Sequence, residues 1–514
     1  MTDEAPEGLR DGPYPDDFAI LDAAQVHGLG DMDPERFRSA AHAVVDVMAD
    51  YLATVEGRRV LPAIEPGSLG PAFPASAPEA PEPLGTILED LDRLVVPNAT
   101  HWQHPGFLAY FATTASAPGI LGEMWTATLG QNVMLWRTSP IGTELEQVVV
   151  GWLRSALGLP EGFDGLLTDT ASTSTLIALA AAREAAELRA TAEGLAARVR
   201  AGTPVLYASA EAHSSIEKAC MTLGLGRASL RRIPVDADYR MRVDLLAAAI
   251  AADRAAGSVP VAIVATIGTT SSTSADPVAA IAEVAAREGV WLHVDAAYAG
   301  AVALVPARRG PFAGWERADS LVVNPHKWLF TPLDASLLLS RRMETVRTAF
   351  SLVPEYLRTL DHERPVHDFA EYQPQLGRRM RALKLWMLLR YFGLEGLRRR
   401  IEEHCRLAEE LASRVDAEPD FERLASVPFS TVCLRWRPAA LRGREEEPAV
   451  RARLDAANER LMAAVNATGE VFLSHTRLHD RFAIRVSIGN LRTEGRHVDR
   501  AWDLLRREAR ALDA

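Results

Sequence analysis

Lysine is almost missing from this 514-residue chain: of its 56 basic side chains only Lys218, Lys327 and Lys384 are lysine, and the rest are arginine. Arginine stays protonated, whereas lysine can lose its proton and attack a carbonyl. Each lysine is therefore a position to inspect. Cysteine is equally scarce. Cys220, Cys405 and Cys433 are scattered, with no CxxC pair and no metal-ligand spacing, which argues against a disulfide scaffold and reads as inert thiols in a reducing compartment. No apolar run long enough to span a bilayer occurs, so no membrane segment is expected. The opening MTDEAPEGLRDGPYPDD has neither a basic stretch nor an apolar run, so no signal peptide is expected. Positive charge in excess is lacking too. The formal net charge of −12 argues against nucleic acid as a partner. What remains is an ordinary globular composition, 48% hydrophobic and 24% charged, in a chain long enough for two or three domains. A cytoplasmic enzyme is the default expectation.

Residues 1–30 are acidic, with Pro and Gly, and read as a loose extension. Asp33-Pro34-Glu35 reads as an N-cap, a Pro at the first helical position and an acid in the first turn. Phe37, Ala41, Val44, Met48, Leu52 and Val55 follow at helical spacing. Seven prolines between Pro62 and Pro83 then exclude helix and central strand, leaving an extended arm. A helix with one apolar face followed by such an arm fits a segment packed on another subunit as well as on its own domain. Over 115–384, short apolar runs (205–209, 259–267, 290–295, 320–323, 336–339) alternate with helical patterns, the mark of a mostly parallel sheet covered on both faces. Ligands in such sheets sit beyond the C-terminal ends of the strands. Residues 349–377 have weak periodicity and three prolines, as a lid would. The remainder, 385–514, reads as a smaller α+β domain; 31–114 forms the N-terminal helical segment and arm.

The polar residues at those strand ends carry the chemistry. Lys327, in Asn324-Pro325-His326-Lys327-Trp328, follows an apolar strand directly. Desolvation there would lower its pKa and favour the free amine that a Schiff-base lysine needs. Lys218 and Lys384 lie inside helix patterns and read as an exposed face or a local ion pair. Asp295 ends another apolar strand and precedes Ala296-Ala297-Tyr298-Ala299-Gly300, small residues that leave room for a flat ligand. A buried carboxylate needs a cationic or hydrogen-bonded partner; the pyridinium nitrogen of pyridoxal 5'-phosphate (PLP) is one, and a turn-capping role is the alternative. In 166–174 (LLTDTASTS) five hydroxyl residues crowd the start of a helix expected from Thr175, where backbone N–H groups and hydroxyls bind phosphate. Simple N-capping needs only one of them. Phosphate site, acid and lysine occur in the order typical of aspartate-aminotransferase-like PLP enzymes.

From about 35 to 510 the sequence also resembles the group II PLP-dependent decarboxylases of the aromatic-L-amino-acid decarboxylase type. The resemblance rests on THWQHPGFLAYF (100–111), SPIGTELE (139–146), EAHSSIEKA (211–219), HVDAAYAG (293–300), NPHKW (324–328) and LGRRMRALKLW (376–386). It implies an α/β fold of type I, with a mostly parallel sheet between helices, an N-terminal helical segment and a small C-terminal α+β domain. By resemblance, Lys327 would hold PLP covalently, Asp295 would pair with its pyridine nitrogen, and His213 would stack on its ring. Ala171, Ser172 and Asn324 would bind the phosphate with His326 beside it, and Thr270 and Ala297 would line the ring. Thr113 would lie on the substrate carboxylate side. Trp102, Tyr110, Phe111, Asn132 and Met134 would complete the substrate pocket, and Tyr356 would be the catalytic-loop tyrosine. The resemblance further implies a homodimer with shared sites.

Family members that form aldehydes oxidatively typically lose the loop tyrosine or the stacking histidine. Tyr356 and His213 are both present, and a tyrosine can deliver a proton to carbon where a phenylalanine cannot. Simple decarboxylation to an amine is therefore the expected reaction, with oxidative aldehyde formation as the alternative. The chain departs from the animal enzymes at Asp169-Thr170, where they have Gly-Ser, at Ala112 for a proline, and at Asn132 and Met134 for Ile and Phe. The pocket stays largely apolar with no evident arginine, which argues for an aromatic substrate, leaves a bulky aliphatic one open, and argues against glutamate. His101/His104 and His362/His367 lack a metal-site motif, and no metal is expected.

Overall fold

The computed structural model describes residues 14–188, 190–195, 202–352 and 366–513. The chain divides into two compact units, Met1–Phe107 with Ala463–Phe472, and Leu108–Met462 with Leu473–Ala514.

In the first unit the expected helix runs Pro34–Thr54, and the Asp33 side chain caps it by accepting the Glu35 N–H at 2.9 Å. Its Ala40 packs with Phe18 and Leu88, and Val44 flanks them. Phe37, expected on the buried face, is 59% exposed. The seven prolines hold 62–83 out of helix and sheet except for one short turn at Gly70–Ala72. Residues 463–472 join this unit through the backbone: Arg59 donates to the carbonyls of Ala467 and Thr468, and Val60 N–H to Gly469.

The second unit is built on a seven-stranded sheet. Its strands are β1 (Asp164–Thr168), β2 (Pro204–Ser209), β3 (Leu230–Ile233), β4 (Val259–Thr266), β5 (Trp291–Asp295), β6 (Ser320–Val323) and β7 (Ser336–Ser340), in the order β1-β7-β6-β5-β4-β2-β3. Only the two pairings of β7 are antiparallel. Successive side chains point to opposite faces, and both faces are buried. Val205, Tyr207, Ile263, Ala265, Leu292 and Val294 join one core cluster, with Leu246, Ile250 and Ile281 from covering helices. The alternate Leu206, Ala208, Ala262 and Val264 join another, with Ile177, Ala178, Leu179, Ala181, Ala182 and Ile216. That double burial is why the strands read as unbroken apolar runs. Each fully buried Leu, Ile or Val contributes about 1.5–3 kcal/mol. A second, antiparallel sheet comprises β8 (Phe421–Arg423), β9 (Thr431–Trp436), β10 (Ser474–Leu478) and β11 (Arg481–Ser487), ordered β10-β11-β9-β8.

Two expectations change. The helix after the hydroxyl-rich stretch is Ala171–Ala185, four residues earlier than expected, because Thr170 and not Ser174 is its N-cap. The helix after 378 continues to Ala417, broken at Gly393, whose φ of 62° only glycine adopts freely. Of the loop 349–377, residues 353–365 lie outside the described residues, and Tyr356 and His362 are among them. No described helix is long and apolar enough to cross a membrane.

Candidate active site

Thr168, Ser209, Thr266, Asp295 and Val323 end strands β1, β2, β4, β5 and β6 on one edge of the large sheet. Asn324 follows β6 as the N-cap of a short helix, Pro325–Trp328, which carries Lys327. The Asn324 N–H bonds the Ala297 carbonyl at 2.9 Å, which brings the β5 and β6 ends together, and Lys327 N–H returns to the Asn324 carbonyl at 3.0 Å. The Lys327 Nζ reaches over the Phe111 ring, 5.3 Å from its centre. Phe111 begins a ladder of flat groups: it stacks on Tyr298 at 3.7 Å, Tyr298 on Trp328 at 4.6 Å, and Trp328 on His404 at 6.3 Å. Desolvation in this setting lowers the pKa of the Lys327 amine, and the Asp295 charge only partly opposes it. A neutral amine is the nucleophilic form.

Asp295 is buried. One of its oxygens accepts the Ala297 N–H at 3.1 Å, and the other takes no hydrogen bond from a described residue. His213 caps the helix Ser214–Thr222, its Nδ1 accepting the Ser215 N–H at 3.1 Å. In the neutral ring that leaves the proton on Nε2. Although much of the residue's surface is open, desolvation by the surrounding chain lowers the His213 pKa; the Lys327 and Lys218 charges add to this and Asp295 opposes it. The acid, the lysine and the histidine thus feel one another's charge.

The start of the helix Ala171–Ala185 is a cradle of donors without partners among the described residues. Thr170 Oγ1 accepts the Thr173 N–H, while the Ala171 and Ser172 N–H groups and the Ser172 hydroxyl bond no described residue. Such a helix start attracts anions. His326 is buried, and desolvation pushes its pKa down to about 3, with the neighbouring Lys327 charge adding to the effect. Its Nδ1 accepts the Ala335 N–H at 2.9 Å, so its proton sits on Nε2, 3.2 Å from the Asn324 side-chain amide. It is the amide nitrogen that faces His326, and the buried Asn324 oxygen has no partner. Turning that amide so that its oxygen meets His326 satisfies both groups and frees an NH2 donor. A desolvated amine, an acid with one open oxygen and a cradle of unpaired donors fit PLP.

The other expected residues are placed as follows. Ala297 is buried beside Asp295, and Thr270 lies exposed in the turn after β4. Tyr110 is 54% exposed with its N–H on Ser474 Oγ, and Thr113 is half-buried. Asn132 and Met134 are engaged with the returning segment: Asn132 Oδ1 accepts the Arg378 N–H at 2.9 Å and Met134 O the Ala370 N–H at 3.0 Å. Trp102, in the first unit, stacks on Phe107 at 4.2 Å. His101 bonds the Tyr51 hydroxyl and His104 the Glu56 carbonyl, and no described group of three His, Cys, Asp or Glu is placed to hold a metal. Lys218 is exposed. Lys384 is ion-paired with Glu123 but is buried, so the exposed-face reading of it is corrected: its helix packs that side onto the helix Ala117–Leu129.

One residue escaped the sequence reading. Arg485 is buried on β11, 5.2 Å from the Phe111 ring centre, donating to the Ser271 carbonyl and to Ser474 Oγ while its second terminal nitrogen has no partner. The signal was a lone cation inside the apolar run FAIRVS.

Comparison with known proteins agrees with this geometry. The pyridoxal-dependent decarboxylase conserved domain matches residues 66–437. Phenylacetaldehyde synthase of Arabidopsis thaliana is 39% identical over 490 residues, 94% of this chain and 97% of that protein. Aromatic-L-amino-acid decarboxylase of Sus scrofa is 38% identical over 487 residues, 92% and 96% of the two chains. The crystal structure of Oryza sativa TDC with PLP and tryptamine has a TM-score of 0.89 at 35% identity, over 95% of this chain and all of that one.

Proposed function

The chain belongs to the pyridoxal-dependent decarboxylase family, and from that premise we propose that it converts an aromatic L-amino acid to its amine and carbon dioxide. The observation that carries the reading is Lys327, a desolvated amine set over the Phe111–Tyr298–Trp328 ladder within reach of the Asp295 charge. The aromatic preference is supported by relatives named for phenylacetaldehyde and aromatic amino acids.

PLP, when bound, supplies a sink for the electron pair left on the α-carbon as carbon dioxide departs. Lys327 would hold the cofactor and yield it to the substrate amine. Asp295 would turn its open oxygen to the pyridine nitrogen and keep it protonated. Ala171, Ser172 and Asn324 would donate to the phosphate, with neutral His326 fixing the Asn324 amide. Thr270 and Ala297 would flank the ring. His213, with its proton on Nε2, would orient the substrate near Thr113. Tyr356 would deliver the proton to the α-carbon. Tyr110, Phe111, Asn132 and Met134 would shape the side-chain pocket. The large domain would be 115–384 and the small one 385–514.

A homodimer is part of the proposal. Trp125, Ile141 and Trp152 are 57%, 61% and 44% exposed on helices of the second unit, a set of large apolar side chains that a second copy would cover. The three unpaired, buried cysteines suit the reducing cytoplasm.

The 39% identity to a phenylacetaldehyde synthase favours one second reading, oxidative release of the aldehyde. Product analysis separates the two. The PLP-loaded protein is incubated in air with phenylalanine, tyrosine, tryptophan, dihydroxyphenylalanine and leucine. Amine with stoichiometric carbon dioxide and no peroxide is the expected result. Aldehyde with hydrogen peroxide would transfer the assignment to the second reading.

A further inference from the structure

A cavity of about 620 Å³ lies in the second unit on the edge of the large sheet opposite the active site. It is lined by the first residues of β4 and β5, by Asp319 just before β6, and by Arg341 and Arg342 just after β7. Trp291 at its wall and Asp295 at the active-site edge are the two ends of β5, about 13 Å apart along the strand. Four arginines, Arg254, Arg317, Arg341 and Arg342, face only two lining carboxylates, Glu187 and Asp319, in a chain whose net charge is −12.

Two of the arginines are already used. Arg254 donates to the Glu288 carbonyl at the end of its helix, and Arg341 donates to the carbonyls of Ala318 and Arg317. The other two make only loose ion pairs, without a side-chain hydrogen bond. Arg317 comes no nearer than 3.9 Å to Glu283, and Arg342 no nearer than 3.9 Å to Asp319, both beyond hydrogen-bond distance. Asp319 is itself held by the Leu292 N–H at 2.9 Å. Arg342 is kept in place by the Trp291 ring at 5.1 Å, which leaves its donor edge available.

We propose that this cavity binds a small, multiply charged anion through Arg317 and Arg342, separately from the active site. Two guanidinium groups lining one cavity with N–H donors outside any hydrogen bond suit the oxygens of a diphosphate, a phosphate ester or a polycarboxylate, and the volume is that of a small-molecule site.

The test is calorimetric titration of the PLP-loaded full chain, whose cofactor phosphate site is filled, with pyrophosphate and separately with citrate, against a sodium chloride blank. One saturable site per chain is expected. Its affinity should fall about tenfold or more in the Arg317→Ser/Arg342→Ser variant and be largely kept in Arg317→Lys/Arg342→Lys. Melting temperature and turnover should stay unchanged in both. A preference for pyrophosphate would point to a phosphate-bearing ligand and one for citrate to a polycarboxylate; either supports the site. No saturable heat, or equal affinity in the serine variant, overturns it. If the double serine variant fails to fold, the Arg317→Ser variant alone must still weaken binding.

Discussion

Arg378 and Glu146 meet at 2.6 Å with neither side chain reaching solvent. The same Glu146 oxygen accepts the Leu167 N–H at 2.8 Å, and Arg378 donates to the carbonyls of Leu167 and Val133 while lying 4.2 Å over the Phe369 ring. The pair fastens the segment returning from the 349–377 loop to β1, one residue before Thr168 and the phosphate cradle. Removing one partner strands a buried charge, so Glu146→Ala should cost about 3–5 kcal/mol. Glu146→Gln, which keeps an acceptor oxygen, should cost less. Urea unfolding monitored by circular dichroism measures both, and a loss below about 1 kcal/mol for the alanine variant would contradict the pairing argument.

That contact also marks what the sequence could and could not tell. SPIGTELE (139–146) and LGRRMRALKLW (376–386) stood out as motifs, but nothing in either says that the last residue of one meets the third of the other. The buried strands β2, β4, β5, β6 and β7 were legible because double-faced burial writes an apolar run. Strands β3 (LRRI), β8 (FER) and β10 (SHTRL) were not, since edge or short strands keep polar residues. Lys327 and Asp295 were legible as polar residues interrupting strand ends. Arg485 was not, because its role depends on the Phe111 ring 374 positions earlier in the chain, and no local pattern carries such a contact.

Asp169 stands two residues before the first donor of the phosphate cradle. Although desolvation works against the charge, hydrogen bonds from Thr173, Thr170 and Gln375 and the Arg381 charge hold its pKa below the usual carboxylate value. The side chain is therefore an anion at neutral pH, close to where a phosphate would sit, and like charges repel. Asp169→Asn keeps the acceptor oxygen that takes the Thr170 N–H at 2.6 Å and removes the charge. PLP should then bind about three- to tenfold more tightly, a gain of roughly 1 kcal/mol. Titration of the apoprotein with PLP, followed by absorbance and tryptophan quenching, reads this directly. Unchanged or weaker affinity would show that Asp169 does not act on the phosphate.

His404 accepts the Trp328 indole N–H on Nδ1 at 2.9 Å at the far end of the aromatic ladder. Burial pushes its pKa down to about 4, with the Glu403 charge and a backbone hydrogen bond opposing. The unfolded chain would protonate this ring near 6.5, whereas the folded chain keeps it neutral. The resulting stability is fully present above about pH 6.5 and is lost as the pH falls toward 4. Between pH 6.5 and 5 the loss is about 2 kcal/mol for this group. His404→Gln removes the titration while retaining an acceptor. The stability gap between wild type and variant should shift by about 2 kcal/mol in the variant's favour between pH 7 and 5, in urea unfolding series at both pH values. A gap independent of pH would mean that His404 is not held neutral.

The three lysines make the sharpest test of the active-site assignment, because Lys327 and Lys384 are both desolvated and differ in what pairs with them. Lys384 has Glu123 as its counter-ion, and Arg379 shares that carboxylate. Lys327 has no ion pair among the described residues, only the Phe111 face and the Asp295 charge. Lys384→Met should therefore act on stability. It leaves Glu123 with Arg379 and some solvent, so the cost should be about 1–3 kcal/mol, with turnover retained. Lys327→Met removes a charge that burial already disfavours, so the fold should hold or gain slightly. Turnover should fall by about three orders of magnitude or more, because the amine proposed to carry the cofactor is gone. Borohydride fixation of PLP on the wild-type protein, followed by peptide mass spectrometry, should label the peptide containing Lys327 and leave those of Lys218 and Lys384 unmodified. Label on Lys384, or turnover surviving in Lys327→Met, would move the catalytic centre away from the β6 end.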